Sequence, residues 1–151
     1  MHYNITQVDR ESYGVWLEMC LALWPDNPRE EMEKDMNDLI SSGKETAFLY
    51  EENGVFLGFV NVSLRTDYVE GARTSPVGYI EGIYVKPCHR KRGIGRLLVR
   101  HAEEWAMGNG CRQMASDAEL HNTASQAFHG KAGFCEENKI VCYIKEIEGV
   151  T

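Results

Sequence analysis

Tyr84-Val85-Lys86-Pro87-Cys88-His89-Arg90-Lys91-Arg92-Gly93-Ile94-Gly95-Arg96-Leu97-Leu98 is the stretch on which the reading of the chain turns. Before it, Gly78 to Val85 carries Tyr79, Ile80, Ile83, Tyr84 and Val85, a run apolar enough for a strand buried on both faces. After it, apolar residues recur at helical spacing from about Gly93 to Met107, and Asn109-Gly110 stops the helix. Strand, basic loop and glycine-opened helix together suit an anion. Glycine lets the backbone approach a phosphate closely, and the unpaired N–H groups of the first helical turn hold the charge. A Walker A loop needs Gly-Lys-Ser/Thr after its second glycine, and Arg96-Leu97 follows instead. A dinucleotide fingerprint needs a third Gly or Ala where Leu98 stands. What remains is a metal-free pyrophosphate cradle with the pattern Arg90-x-x-Gly93-x-Gly95.

Outward from this segment the elements alternate. Residues 3–8 read as a strand, Ser12 to Leu23 as a helix, and Trp24-Pro25-Asp26-Asn27-Pro28 as its break. Arg29 to Ile40 reads as a second helix, closed by Ser41-Ser42-Gly43. Thr46 to Glu51 and Val55 to Leu64 flank Asn53-Gly54, a strong hairpin signal. A polar connection runs from Asp67 to Pro76. Beyond the glycine loop come a short strand at Arg112 to Ser116, a helix from Asn122 or Thr123 to Gly133, and final strands at 134–137 and 139–147. The order predicts an α/β (α+β) fold, a mixed sheet of six to seven strands with about four helices, in one domain spanning residues 1–151.

The chain has 151 residues and a formal charge of −7, which disfavours nucleic acid as a partner and favours a cationic one. Lys86, His89, Arg90, Lys91, Arg92, Arg96 and Arg100 form a basic island within this acidic chain, at the glycine motif. The start of the chain lacks signal-peptide character and no apolar run reaches membrane-span length, so no membrane association and a cytoplasmic location are expected. Cys20, Cys88, Cys111, Cys135 and Cys142 show no CxxC spacing, so reduced thiols and no metal are expected.

The Arg-x-x-Gly-x-Gly segment between a strand and a long helix resembles the acetyl-CoA signature of the GNAT superfamily of N-acetyltransferases. Asn122 before a helix and Ala132-Gly133-Phe134 after it resemble that superfamily's second recurring segment. Leu23-Trp24-Pro25, Asp67-Tyr68-Val69, Ser75-Pro76-Val77, Ile80-Glu81-Gly82-Ile83-Tyr84-Val85 and Ala115-Ser116-Asp117 resemble, in order and spacing, the aminoglycoside 6'-N-acetyltransferases. The resemblance implies a GNAT fold and acetyl-CoA as cosubstrate. It places the pantetheine arm along Ile83, Tyr84 and Val85, the pyrophosphate on the backbone of Arg90, Lys91, Arg92, Gly93, Ile94, Gly95 and Arg96, and Asn122 at the cofactor. A bulge or splay at Gly82 would expose the strand's backbone to that arm. A tyrosine often stands four residues ahead of the Gly-Phe pair in this superfamily, placed to protonate the leaving thiolate. Here the position is His129, and imidazole can do that work.

The acceptor amine must be bound as an ammonium and then lose a proton. Glu81 lies inside an apolar strand, where a charge is costly unless it has a function or a partner. Asp117 follows the next strand, where the sheet should open. Both match substrate-binding positions of the subgroup. Glu81 is a base, a group that orients the amine, or half of a structural ion pair; Asp117 is an amine ligand or a turn cap. Trp24 and Tyr68 match aromatic positions lining the subgroup's acceptor cleft. Asn138 stands where related enzymes often carry glutamate, with Glu136 and Glu137 beside it. The resulting expectation is an aminoglycoside 6'-N-acetyltransferase, a homodimer as related enzymes commonly are, conferring antibiotic resistance. The alternatives are acetylation of another small amine, such as a polyamine or metabolite, and a non-catalytic acyl-CoA-binding regulator.

Overall fold

The computed structural model describes residues 2–149. In chain order its elements are β1 (Tyr3–Gln7), α1 (Tyr13–Leu23), α2 (Arg29–Ser41), β2 (Glu45–Glu52), β3 (Val55–Arg65), β4 (Val77–Val85), a 3-10 turn (Pro87–His89), α3 (Ile94–Gly108), β5 (Met114–Ala115) and α4 (Thr123–Lys131). The sheet runs in the order β1-β2-β3-β4-β5. Its first four strands pair antiparallel, and β4 pairs with β5 in parallel. The β2–β3 turn has Asn53 and Gly54 at φ of 52° and 81°, the left-handed pair a two-residue hairpin requires.

Alternation along the strands sends side chains to two cores. On one face Ala47, Leu49 and Phe59 meet Trp16, Leu17 and Cys20 of α1 and Met32 and Met36 of α2. On the other, Phe48, Val60, Val62 and Ile80 meet Ile94, Leu98 and Ala102 of α3. Those three α3 positions recur every four residues, which turns one helical stripe onto the sheet. Burying each large apolar side chain contributes about 1.5–3 kcal/mol. The fully buried Trp16 satisfies its indole N–H by donating to Asn61 Oδ1 at 3.0 Å, so the polar pair costs little to bury. Glu30 and Glu31 sit in the first turn of α2, where they complement the helix dipole.

Two features of β4 position the site. Asn61 pairs with Gly82 and Val62 with Ile80, so Glu81 is the extra residue of a β-bulge. The expected irregularity at Gly82 falls one residue earlier. β5 pairs with Gly78 and Tyr79, so among the described residues β4 from Ile80 onward has no strand neighbour on that side.

The expected six to seven strands become five among the described residues. The strand expected over Arg112 to Ser116 contracts to Met114–Ala115, and residues 134–137 and 139–147 form no strand. The physical reason is a missing neighbour. Ile140, Val141, Tyr143, Ile144 and Ile147 are all exposed, and among the described residues the backbone of 139–147 makes one hydrogen bond, from Lys139 N–H to the Asn138 side chain. The segment has strand-forming residues, but no strand among the described residues lies beside it.

Candidate active site

The glycine loop is built by two left-handed residues. Lys91 has φ of 64° and Gly93 φ of 87°. Such alternation turns successive N–H groups toward one side. Gly93 caps α3, and the first intrahelical bond is from Leu97 N–H to the Gly93 carbonyl. The N–H groups of Ile94, Gly95 and Arg96 therefore precede the helical ladder and point out of its N-terminus. The side chains of the basic island are partly committed. Arg92 forks onto the Glu52 carboxylate at 2.8 and 2.9 Å and meets His89 Nδ1 at 2.9 Å. Arg90 Nε donates to the Val85 carbonyl at 2.7 Å, and its guanidinium lies over the Tyr84 ring. Backbone groups are thus the main feature of the cradle, and they fit a pyrophosphate.

Asn122 caps α4, its side-chain oxygen accepting from Ser125 N–H at 3.0 Å. His129 lies seven residues on, one ring nitrogen on each of two partners. Nδ1 is 2.7 Å from the Ser125 carbonyl and Nε2 is 2.7 Å from Ser116 Oγ. A carbonyl can only accept, so Nδ1 carries the proton, and in the neutral ring Nε2 accepts from Ser116. Any proton donated by His129 toward the end of β5 would pass through Ser116.

The residues expected on the acceptor side fall into two groups. The first lies on the sheet face that α1 and α2 cover. Ser63 stands opposite Tyr79, and Tyr79 opposite Ala115, so Ser63, Arg65, Tyr79, Glu81 and Asp117 follow one line across three strands. Arg65 Nε and Nη2 donate to the two oxygens of Glu81 at 2.9 and 2.7 Å, and Ser63 Oγ donates to Oε2 at 2.5 Å. The same guanidinium lies 3.4 Å from the Tyr79 ring centroid. Tyr79 donates its hydroxyl to Asp117 Oδ2. Burial first, then the bond to Asp117, pushes the Tyr79 phenol far above its ordinary value, so it stays a donor. Trp24 packs beside Phe59 and fills the space left by the missing side chain of Gly82, where a Cβ would lie 2.5 Å from the indole.

The second group lines, with Arg65, Tyr79 and Asp117 of the first, a cleft of about 740 Å³ bounded by β5, the 68–73 loop, α4 and residues 134–140. Tyr68 is 82% exposed there and donates to Glu70 Oε2 at 2.5 Å. Asn138 Nδ2 donates to Glu70 Oε1 at 2.8 Å. The Tyr68 hydroxyl, then the Asn138 amide, holds the Glu70 carboxyl below its ordinary value. Tyr68 and Asn138, picked out separately in the sequence, are thus joined by Glu70, which was not. Ser63, Arg65, Tyr79 and Ser116 were likewise not legible as site residues. The one available signal was strand alternation, which sets Ser63 with Arg65 and Tyr79 with Glu81. Glu136 instead pairs with Lys139 at 2.9 Å. Among the described residues, no group of three or more His, Cys, Asp or Glu is placed to hold a metal ion, and no helix is long and apolar enough to cross a membrane.

Known proteins share this architecture. The model of the acetyltransferase (GNAT) family matches residues 16–134. An aminoglycoside N(6')-acetyltransferase type 1 from Acinetobacter haemolyticus is 37% identical over 145 residues, 96% of this chain and 99% of that protein. One from Serratia marcescens is 36% identical over 140 residues, covering 92% of this chain and 96% of its own. The structure of AAC(6')-Iy in complex with the bisubstrate analog CoA-S-monomethyl-acetylneamine superposes with a TM-score of 0.94 at 34% identity, covering 97% of this chain and 100% of that one.

Proposed function

The chain belongs to the GNAT acetyltransferase family, and from that premise we propose that it transfers the acetyl group of acetyl-CoA to the 6'-amine of aminoglycoside antibiotics, conferring resistance to them. The observation that carries this reading is the span of the likeness. Relatives named for 6'-N-acetylation match over nearly their whole length. One N-acetyltransferase domain then accounts for residues 1–151.

In this reading the pyrophosphate rests on the backbone from Arg90 to Arg96 at the start of α3. The pantetheine arm adds to the unpaired side of β4 at Ile83, Tyr84 and Val85, as an extra strand would, and Asn122 contacts it from α4. Asp117 receives the acceptor ammonium, with Tyr68 and Trp24 as aromatic walls. The bound ammonium releases a proton to water, and the free amine attacks the thioester carbon. The C–S bond then breaks as the nitrogen gives a second proton to water; the Ser116 hydroxyl protonates the departing thiolate and is reprotonated by Nε2 of His129, for which the ring must first be the doubly protonated imidazolium. Asn138 acts through Glu70, which supplies a carboxylate in the cleft. The three exposed free thiols, Cys88, Cys135 and Cys142, support a reducing cytoplasm as the location.

A homodimer is part of the proposal. It is supported by the exposed apolar residues of segment 139–147 and by the cleft beside the unpaired edge of β5. The segment is apolar on both faces, as a strand buried within a sheet is. Inserted from a second copy between β5 and residues 134–138, it would pair its backbone and bury those side chains. Sedimentation of the full chain should give a dimer, and Ile144→Lys a monomer. Sedimentation of the unaltered chain as an active monomer would overturn the dimer.

The activity is tested by thiol release from acetyl-CoA across an acceptor panel. Kanamycin and tobramycin, which carry a 6'-amine, should be turned over. Lividomycin, with a 6'-hydroxyl, should be inert. Equal turnover of all three would remove the assigned position, and no turnover with any would remove the activity.

A further inference from the structure

We infer that Tyr79 and Arg65 are positioning residues for Asp117, and that Glu81 serves the reaction by holding Arg65 rather than by removing the amine proton. This rests on the proposal that Asp117 receives the acceptor amine.

The argument begins with the bulge. An unbroken β4 would leave Glu81 in ordinary register, but the extra residue turns its carboxylate to Ser63 and Arg65 of the neighbouring strand. Three donors then occupy its two oxygens. Proton abstraction by Glu81 would first have to break the two-pronged pair with Arg65, whose planar fork is the best match a carboxylate can have. The pair also cancels its own charge. Among Glu81, Arg65 and Asp117, the one uncompensated charge is therefore the Asp117 carboxylate, and an approaching ammonium is drawn there.

Arg65 in turn fixes Tyr79. Its guanidinium carbon lies 3.4 Å from the ring centroid while the hydroxyl at the far end bonds Asp117 Oδ2. Tyr79 is a buried side chain, so its ring is held by packing as well as by the cation. With Oδ2 taken by this bond, Oδ1 is left for the amine. Ser63, Glu81, Arg65, Tyr79 and Asp117 form one chain of contacts across the sheet, each link fixing the next.

The experiment uses the full chain with acetyl-CoA and kanamycin. Tyr79→Phe keeps the ring under Arg65 and removes only the hydroxyl. The KM for kanamycin should rise about 5- to 10-fold, less than the full worth of a hydrogen bond to a charged group because the hydroxyl acts on the amine only through Asp117, with the KM for acetyl-CoA and the Tm unchanged. kcat should hold, so the loss falls on binding of the acceptor and not on the chemical step. Adding Tyr79→Phe to Arg65→Gln should cost little beyond Arg65→Gln itself, since the links act in series. Glu81→Gln should raise the KM and retain most of kcat. A wild-type KM in Tyr79→Phe, with Asp117→Asn impaired, would overturn the positioning role while the site stands. Loss of kcat in Glu81→Gln at an unchanged KM would make Glu81 the base and overturn the inference. Wild-type kinetics in Asp117→Asn would instead remove the reading on which it rests.

Discussion

Gly95 and Phe128 pack so closely that a Cβ on the glycine would lie 2.7 Å from the phenyl ring. The second glycine of the motif thus seats α4 against the start of α3, besides baring the backbone. Around Gly93 a Cβ would meet nothing, but its φ of 87° disfavours any other residue. The two glycines are needed for different reasons.

Their substitutions should separate accordingly. Gly95→Ala pushes Phe128 away and shifts α4, which carries Asn122 and His129. It should lower both the Tm and CoA affinity, with an overpacking cost of about 1–3 kcal/mol. Gly93→Ala strains the loop by about 1–3 kcal/mol without disturbing α4. Calorimetric titration with CoA should show weaker binding in both, and kcat should fall further for Gly95→Ala. If Gly95→Ala kept wild-type melting and CoA binding, the contact with Phe128 would be one the fold absorbs at no cost.

Asp117→Asn keeps the shape of the side chain and removes its charge. A charge-assisted bond to an ammonium is worth about 1.5–3 kcal/mol, so kcat/KM for kanamycin should fall by about one to two orders of magnitude. The KM for acetyl-CoA should hold, since the pyrophosphate cradle lies on the loop before α3. A parallel rise in the acetyl-CoA KM would place Asp117 on the cofactor side instead.

Glu70 is the prediction that the sequence did not offer. Tyr68 and Asn138 both donate to it, and the residue is exposed in the cleft. Glu70→Gln should raise the KM for aminoglycosides several-fold with kcat nearly kept. The effect should be strongest at low salt, because exposed charges are screened. Steady-state kinetics at two ionic strengths decides it: a salt-independent change would point to shape rather than charge.

The contrast between Gly93 and Glu70 shows what sequence could carry. The glycine loop, the Asn53-Gly54 hairpin and the stripes of α2 and α3 are local, set by spacings within about fifteen residues. They were legible, and so was the choice of Asp117 and Glu81 as carboxylates worth explaining. The partners of those carboxylates come from strands far apart in the chain, and their meeting depends on register. The bulge at Glu81 moved that register by one residue, and only Gly82 hinted at it. The final strands failed for another reason. Residues 139–147 have the composition of a buried strand, but composition does not say which chain supplies the neighbour.

The pH dependence of stability follows from Glu45, at the start of β2 and opposite Ser63. Burial first, then the charge of Glu81, raises the Glu45 carboxyl above its ordinary 4.5, and Arg65 offsets part of this. A carboxyl raised in the fold binds its proton more tightly folded than unfolded. That proton therefore stabilises the fold below the unfolded value, and its contribution is lost as pH rises through the folded one. At neutral pH Glu45 is ionised and its charge opposes folding. Glu45→Gln removes the charge and keeps the shape, so it should melt higher than the unaltered chain at pH 7 and at nearly the same temperature near pH 4. In a Glu81→Gln background the gain at pH 7 should shrink, because the larger of the two charges that raise Glu45, Glu81 before Asp38, is gone. Thermal melts of the four proteins at both pH values test it. A gain of equal size at pH 4 and pH 7 would trace to packing rather than to charge.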